Sequence, residues 1–185
     1  MDKSNHSNVL IVGGGCAGVA VASRINNLKS DLTISIIEPS EKSLYQAAWT
    51  LVGAGAYNVN DTIKPMSSVM PSYVKWIKEY AEEFSPDSNS VKTNGGSYTY
   101  DYLVVCPGLK LNFDGVAGLK EHLGKNNVCT NYSAEMATYT WDCLKQLDGG
   151  TLLFTEPPMP IKCAGAPQKI AYLAADHLKL SLIHI

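Results

Sequence analysis

Residues 9–18 read Val9-Leu10-Ile11-Val12-Gly13-Gly14-Gly15-Cys16-Ala17-Gly18, an apolar run that leads directly into glycines. The apolar run predicts a buried parallel strand, and the Ala- and Val-rich segment from Cys16 to Ile25 predicts a helix packed on it. A second apolar run, residues 33–37, ends at Glu38 and predicts the next strand. Together these elements predict a βαβ unit at the start of an α/β fold.

The glycines match the pattern G-x-G-x-x-G at Gly13, Gly15 and Gly18, after a predicted strand and at the start of a predicted helix. Gly13 permits the tight turn, Gly15 lets the backbone approach a pyrophosphate, and Gly18 allows close packing of helix and strand. The helix N-terminus stabilises the phosphate charge. Glu38 follows about 20 residues later, where a carboxylate binds ribose hydroxyls and disfavours the 2′-phosphate of NADP.

Short β segments follow the βαβ unit and favour FAD over NAD as the dinucleotide. They are separated by turn signals, predict an antiparallel meander, and cover residues 74–77, 80–84, 91–93 and 98–100. The parallel sheet is predicted to resume at residues 102–105, which lead into Cys106-Pro107-Gly108. A meander at this point is typical of flavoproteins with two dinucleotide domains, because a plain NAD domain would continue with further βα units.

A second Rossmann-like domain is predicted to start at residue 151. Residues 151–155 predict a strand, and Pro167 opens a helix predicted from Gln168 to about His177. The turn between them lacks G-x-G-x-x-G and contains four prolines, so no NAD(P)H site is expected there. The predicted organisation is an FAD-binding domain in residues 1–150 and the truncated start of a second domain in residues 151–185.

Cys163 lies in that proline-rich turn, just before the predicted helix and beside Lys162. The helix dipole and the neighbouring ammonium group both favour a thiolate over a thiol. The local sequence supports a nucleophilic cysteine and a small buried cysteine without chemistry about equally. Both interpretations stay open at this point.

The composition of the 185 residues excludes several classes of function. Hydrophobic residues make up 45%, charged residues 17%, and the net charge is −2, which excludes disorder and gives no basic surface for nucleic acid. The five cysteines form no C-x-x-C pair and give no metal-site signature. Their odd number and wide spacing predict no disulfide framework and a reducing compartment. Residues 1–8 are polar and do not predict a cleaved targeting signal.

Several runs of this sequence resemble sulfide:quinone oxidoreductase, a flavoprotein of the disulfide-reductase superfamily. The resemblance covers roughly Val9 to His177, and its strongest run is Pro158-Met159-Pro160-Ile161-Lys162-Cys163-Ala164-Gly165-Ala166-Pro167-Gln168-Lys169. Further matching runs are Glu38-Pro39-Ser40, Tyr45-Gln46, residues 49–55 and residues 106–111. The resemblance implies oxidation of sulfide, with two electrons passing through FAD to a membrane quinone and sulfur passing to a small acceptor.

The resemblance also implies which residues hold FAD. The implied pyrophosphate contacts are Gly13, Gly15, Cys16, Ala17 and Gly18. The other implied contacts are Glu38 with the adenosine ribose, Gln46 with the flavin nucleotide, Ala81 with the adenine and Gly108 with the isoalloxazine region.

Two cysteines are implied to carry catalysis. Cys163 matches one of the family's two redox cysteines, which form a disulfide and carry a persulfide during turnover. Cys129, followed by Thr130, matches a third cysteine that some branches of the family use. Cys143 is expected in the core instead, on the apolar face of a helix predicted from Ser133 to about Leu147.

The family's second redox cysteine, its C-terminal FAD-binding segment and its membrane-docking helices lie downstream of the Cys163 run. The chain is therefore expected to be an incomplete N-terminal part that is inactive in isolation. The resemblance implies a peripheral protein on a quinone-containing membrane, and the polar leader favours a bacterial over a mitochondrial membrane. The alternatives are a related FAD-dependent NADH:quinone reductase and a non-catalytic FAD-binding fragment.

Overall fold

The computed structural model describes residues 5–182 and places them in two compact units. The first unit comprises residues 5–44 and Lys64–Gly108, and the second comprises Tyr45–Ile63 and residues 109–182. The chain therefore leaves the first unit after the second strand of the βαβ unit and returns to it before the meander.

The first unit is built on a six-stranded sheet. Its strands in chain order are β1 (His6–Val12), β2 (Ile34–Ile37), β5 (Val74–Ile77), β6 (Ala81–Ser85), β7 (Ser90–Thr93) and β8 (Ser97–Val105). Two short strands, β3 (Lys42–Leu44) and β4 (Ile63–Pro65), pair separately. The order across the large sheet is β5-β2-β1-β8-β7-β6. Strand β1 is central and pairs in parallel with β2 on one side and with β8 on the other.

Strand β1 is buried on both faces, as its unbroken apolar sequence predicts. On one face, Val9 and Ile11 pack with Ala22 of the helix α1 (Cys16–Leu28). On the other face, Leu10 packs with Val91 and with neighbouring side chains of the meander. The predicted βαβ unit is confirmed, and the α/β fold with a Rossmann-like domain and a meander matches the structure.

The meander differs from the prediction at both of its ends. Residues 74–77 do not belong to it, because β5 runs parallel to β2 with Val74 opposite Ile34. Residues 98–100 and 102–105 are not two strands, since both lie in the nine-residue strand β8. The meander is therefore β6, β7 and the first half of β8. Apolar alternation predicts that a segment is extended, but it carries no information on the direction of the neighbouring strand.

Helices occur in both units. Besides α1, they are α2 (Trp49–Gly53), α3 (Met66–Val69), α4 (Leu119–His122), α5 (Ala134–Lys145) and α6 (Gly165–Leu182). In the second unit, Trp49 and Val52 of α2 pack on Ala137 of α5. Leu144 of α5 packs on Ile170 of α6 in a second apolar cluster. Helix α5 begins after Ser133, as predicted.

The predicted strand over residues 151–155 is wrong, because the structure has no regular element there. Leu153 is 84% exposed, and Leu152 and Phe154 are exposed as well. A strand is stable only when its backbone groups pair with a neighbour. None of the strands among residues 5–182 pairs with this segment. The expected domain boundary at residue 150 stays a prediction.

Candidate cofactor and thiol sites

The glycine turn between β1 and α1 has the geometry that its pattern predicts. Gly13 has a φ of +105°, and a Cβ placed there would lie 2.2 Å from the carbonyl oxygen of Cys106. A Cβ on Gly18 would lie 1.9 Å from the carbonyl oxygen of Gly13. Side chains are therefore excluded at both positions, at Gly13 by the backbone conformation as well as by contact.

The N-terminus of α1 is open. A Cβ on Gly15 would meet no atom within 4 Å, and Cys16 and Ala17 are exposed. No side chain caps this 13-residue helix, and its first turn holds no acidic residue. Backbone N–H groups that lack intrahelical partners thus face open space, which fits the pyrophosphate of a dinucleotide.

Glu38 lies at the end of β2 and is fixed against the glycine turn. Its Oε2 accepts a hydrogen bond of 2.8 Å from the backbone N–H of Gly14, and its Oε1 accepts one of 2.7 Å from Ser40. The indole N–H of Trp76 donates to the Glu38 carbonyl oxygen at 2.8 Å. An ionised carboxylate has about four acceptor positions, so Glu38 can still accept hydrogen bonds from ribose hydroxyls.

Gly14 belongs to this site, although the pattern treats its position as variable. A Cβ on Gly14 would lie 2.7 Å from the Cβ of Glu38. The close approach of Glu38 thus requires a third glycine in the turn. The three consecutive glycines were a visible signal for this, whereas nothing local pointed to Ser40 or Trp76.

Cys106 directly follows β8 and packs against the glycine turn. Its N–H donates to the Val12 carbonyl oxygen at 2.8 Å, and its thiol lies 3.6 Å from the Gly13 carbonyl oxygen. Burial raises the pKa of the Cys106 thiol, which suits a packing role. Gly108, two residues on, has a φ of +78° and open space around its Cα.

The structure distributes the remaining cofactor residues over both units. Ala81 lies in the first unit at the start of β6, opposite Thr93, and packs against the apolar cluster that contains Leu10. Gln46 lies in the second unit, where it is exposed at the start of the 3-10 turn Gln46–Ala48. Of the predicted cofactor residues, Glu38 is the one that hydrogen-bonds the glycine turn, and Cys106 also contacts this turn within the first unit.

Cys163 lies two residues before α6, an 18-residue helix, and is exposed. Its φ is +61°, in the left-handed region that L-residues rarely adopt. Its carbonyl oxygen accepts a hydrogen bond of 3.0 Å from the Ala166 N–H and one of 3.2 Å from the Tyr132 hydroxyl. The predicted placement before a helix N-terminus is confirmed, while the reactivity of the thiol stays a prediction.

Tyr132 is a site residue that the sequence did not reveal, since it lies 31 positions from Cys163. Desolvation by burial raises the pKa of Tyr132, and the negative charges of Cys163 and Glu156 raise it further. The phenol therefore stays protonated and remains a donor to the Cys163 carbonyl oxygen.

Two further cysteines, Cys129 and Cys143, lie close together in the second unit. We call them the thiol pair. The Cys129 thiol donates to the Asn127 carbonyl oxygen at 3.5 Å, and the Cys143 thiol donates to Asn127 Oδ1 at 3.7 Å. Burial, a hydrogen bond to Cys143 and the charge of Cys143 raise the pKa of Cys129 to about 12.

The expectation that Cys143 lies in the core of α5 is wrong, because the side chain is only partly buried and meets polar atoms. The buried face of the helix consists of Ala137, Thr140 and Leu144. The buried face of α5 is therefore rotated from the predicted apolar face, which included Cys143.

No group of three or more His, Cys, Asp or Glu side chains among residues 5–182 is arranged to hold a metal ion. No helix within the same residues is long and apolar enough to cross a membrane.

Comparisons with known proteins agree with the geometry. Residues 7–137 match the family model described as pyridine nucleotide-disulphide oxidoreductase. Mitochondrial sulfide:quinone oxidoreductase from Dictyostelium discoideum is 44% identical over 178 residues, which cover 95% of this chain and 39% of that protein. The mitochondrial enzyme of the same name from Mus musculus is 39% identical over 176 residues, which cover 95% of this chain and 39% of that protein. The chain thus spans about two fifths of the length of these relatives.

A solved structure gives the same result. The sulfide:quinone oxidoreductase from Aquifex aeolicus superposes with a TM-score of 0.61 at 32% sequence identity. The match covers 77% of this chain and 32% of that one. The sequence resemblance to sulfide:quinone oxidoreductases is therefore confirmed.

Proposed function

Since the chain belongs to the pyridine nucleotide-disulphide oxidoreductase family, we propose that it acts in sulfide oxidation as part of a sulfide:quinone oxidoreductase. The observation that carries this proposal is the position of Cys163, exposed before α6 and held in the left-handed conformation by two hydrogen bonds to its carbonyl oxygen. Non-glycine residues in that conformation concentrate at functional sites, where the surrounding structure stabilises them.

FAD is the cofactor, and the residues of the first unit fit it. The open N-terminus of α1 would hold the pyrophosphate through Gly15, Cys16 and Ala17, with Gly13 and Gly18 shaping the turn. When bound, FAD accepts an electron pair and passes it on to a second substrate.

The other contacts to FAD are part of the proposal. Glu38 would accept hydrogen bonds from the ribose hydroxyls, because its carboxylate is already oriented by Gly14 and Ser40. Gln46 would contact the flavin nucleotide, Ala81 would meet the adenine through its backbone, and the unobstructed Gly108 would lie against the isoalloxazine region.

Cys163 would supply one sulfur of the disulfide that sulfide attacks. Hydrosulfide forms a bond to one sulfur of that disulfide, and the S–S bond breaks. One cysteine then carries a persulfide and the other is released as a thiolate, so the sulfide sulfur is oxidised by two electrons while the disulfide is reduced by two. The helix N-terminus beside Cys163 stabilises the negative charge that appears when its sulfur leaves.

Cys129 is the weaker of the two candidate catalytic thiols. A pKa of about 12 leaves very little thiolate near neutral pH, and only the thiolate attacks a disulfide or sulfane sulfur. A catalytic role for Cys129 would thus require a change in its surroundings during turnover.

The proposed partners are sulfide, a membrane quinone and a small sulfur acceptor, with peripheral attachment to the quinone-containing membrane. Of the relatives described above, those from Dictyostelium discoideum and Mus musculus are mitochondrial proteins by name, and the one from Aquifex aeolicus is bacterial. The proposal therefore includes attachment to a quinone-containing membrane but no choice between a bacterial and a mitochondrial one, and the expectation of a bacterial membrane stays a prediction.

Anaerobic reduction of the bound flavin tests the proposed function. The protein expressed from its complete gene is mixed with sulfide or with NADH, and the flavin absorbance is followed. Sulfide is expected to bleach the flavin and NADH to leave it oxidised, because the turn after residue 155 lacks a second glycine pattern. Bleaching by NADH alone would support the NADH:quinone reductase instead.

A further inference from the structure

The surroundings of Asn127 bring two thiols to one point of the second unit. The Asn127 N–H donates to the Tyr139 hydroxyl at 3.2 Å, so the loop is attached to α5. The Asn127 carbonyl oxygen accepts from Cys129 at 3.5 Å, and its side-chain Oδ1 accepts from Cys143 at 3.7 Å. One residue of the loop thus contacts both members of the thiol pair.

The loop that carries Cys129 has a defined shape. Asn126 and Asn127 have φ values of +52° and +61°, a left-handed conformation that asparagine tolerates better than most residues. The Val128 N–H donates to the Lys125 carbonyl oxygen at 2.9 Å, and the Gly124 N–H donates to the Val128 carbonyl oxygen at 3.0 Å. Cys129 is therefore presented to α5 by a turn that is fixed immediately before it.

The two thiols thus lie on either side of Asn127, and Cys143 is one of the groups that raise the pKa of Cys129. Both are partly buried free cysteines, and Thr140 of α5 also hydrogen-bonds Cys129. We propose that Cys129 and Cys143 form a redox-active pair that a low-molecular-weight disulfide converts into an intrachain disulfide. The proposal goes beyond the proposed function, because the exchange requires neither FAD nor sulfide and does not involve Cys163.

The reaction is an ordinary two-step thiol–disulfide exchange. The Cys143 thiolate attacks one sulfur of the disulfide RSSR, and a mixed disulfide forms while RS⁻ leaves. The Cys129 thiolate then attacks the Cys143 sulfur, the Cys129–Cys143 bond forms, and the second RS⁻ leaves. In total, two protein thiols lose two protons and two electrons, and RSSR becomes two RSH.

The order of the two steps follows from the electrostatics of the pair. Burial and the neighbouring Cys143 raise the pKa of Cys129, so Cys129 holds its proton more tightly and Cys143 is assigned the first attack. Once the Cys143 sulfur is bonded to R, it can carry no negative charge, and only desolvation still opposes ionisation of Cys129. Attack by Cys143 therefore prepares Cys129 for the second step.

Peptide mapping of the oxidised chain tests this proposal. The protein expressed from its complete gene is reduced, freed of the reductant and incubated with excess glutathione disulfide without air. The remaining thiols are blocked with N-ethylmaleimide, and the digest is analysed by mass spectrometry. We expect peptides joined by a Cys129–Cys143 bond, two hydrogens lighter than the reduced pair and separated again by dithiothreitol. Both thiols remaining reduced, each carrying its own glutathione, or Cys129 bonded to Cys163 would overturn the proposal.

Two variants complete the test. Cys163→Ala is expected to leave formation of the Cys129–Cys143 bond unchanged, since Cys163 takes no part in it. Cys143→Ala is expected to leave Cys129 reduced, because the entering thiolate is missing. Rapid glutathionylation of Cys129 in Cys143→Ala would reverse the proposed order and contradict the assignment of roles. Because neither sulfide nor quinone is added, failure here is independent of failure in the sulfide assay.

Discussion

The Tyr132 hydroxyl donates a hydrogen bond of 3.2 Å to the carbonyl oxygen of Cys163. The same oxygen accepts a hydrogen bond from the Ala166 N–H inside the first turn of α6. Since a left-handed backbone at a cysteine is unfavourable by about 1 kcal/mol or more, these two bonds stabilise the conformation that presents the thiol. Tyr132 is thus a positioning residue for Cys163.

Removing the Tyr132 hydroxyl tests that relationship. Tyr132→Phe is expected to lower the free energy of unfolding by about 1 kcal/mol. The substitution removes the hydrogen bond to the Cys163 carbonyl oxygen and keeps the aromatic ring. Urea unfolding measures the difference. Tyr172→Phe is the matched control, since Tyr172 is 75% exposed on α6. Equal stability of the two variants would show that the hydrogen bond contributes nothing.

Two glycine substitutions in one turn are expected to act differently. Gly13→Ala combines a φ of +105° with a Cβ only 2.2 Å from a carbonyl oxygen, so the stability of the fold should fall by roughly 3 kcal/mol or more. Gly15→Ala has open space, so the fold should persist while flavin binding weakens, because the methyl group occupies the cradle. Thermal unfolding and flavin absorbance separate the two effects, and normal flavin binding by Gly15→Ala would argue against the pyrophosphate site.

Glu38→Gln tests the ribose site. The amide keeps the shape of the side chain but has one acceptor oxygen, so it cannot accept from both Gly14 and Ser40 and still bind a ribose. Flavin affinity is expected to fall about tenfold or more, by the loss of roughly 1.5 kcal/mol for a charged hydrogen bond. Glu41→Gln is the control, because Glu41 forms a surface ion pair with Lys78. An equal loss of affinity in both variants would place the effect outside the ribose site.

The stability of the chain is expected to fall in alkaline solution through Cys129. Its pKa rises from 9.0 to about 12, so the folded state holds a proton that the unfolded state releases. The resulting stabilisation is complete below pH 9 and is lost between pH 9 and about pH 12. Cys129→Ala should show a smaller alkaline loss than the unsubstituted chain in unfolding experiments at several pH values. Parallel curves for the two chains would contradict the raised pKa.

The glycine turn and its surroundings could be predicted because their signals are local. Gly13, Gly15 and Gly18 lie within six residues, and Glu38 follows at the end of the next strand. The contacts that define the thiol sites, from Tyr132 to Cys163 and from Cys129 to Cys143, join distant positions that share no pattern. A single sequence carries no signal for such pairings, because they depend on how the helices of the second unit pack.

The error over residues 151–155 has a related cause. The apolar run has the composition of a buried strand, yet a strand forms only beside another strand. In the same way, β5 was recognised as extended, but its parallel pairing with β2 is set by the sheet and not by its own four residues. Local composition therefore indicates that a segment can form a strand, but not which strand it pairs with or whether a pairing strand is present.

The most direct test of the sulfide-oxidation proposal is the rate of sulfide-dependent quinone reduction by Cys163→Ser. It is measured in the protein expressed from its complete gene, with Cys143→Ala as the cysteine control. We expect Cys163→Ser to lose roughly a thousandfold or more in rate while it binds FAD normally, as expected when a catalytic nucleophile is removed. Cys143→Ala should keep its activity. A fully flavinated Cys163→Ser protein that reduces quinone with sulfide at the unsubstituted rate would contradict the proposal.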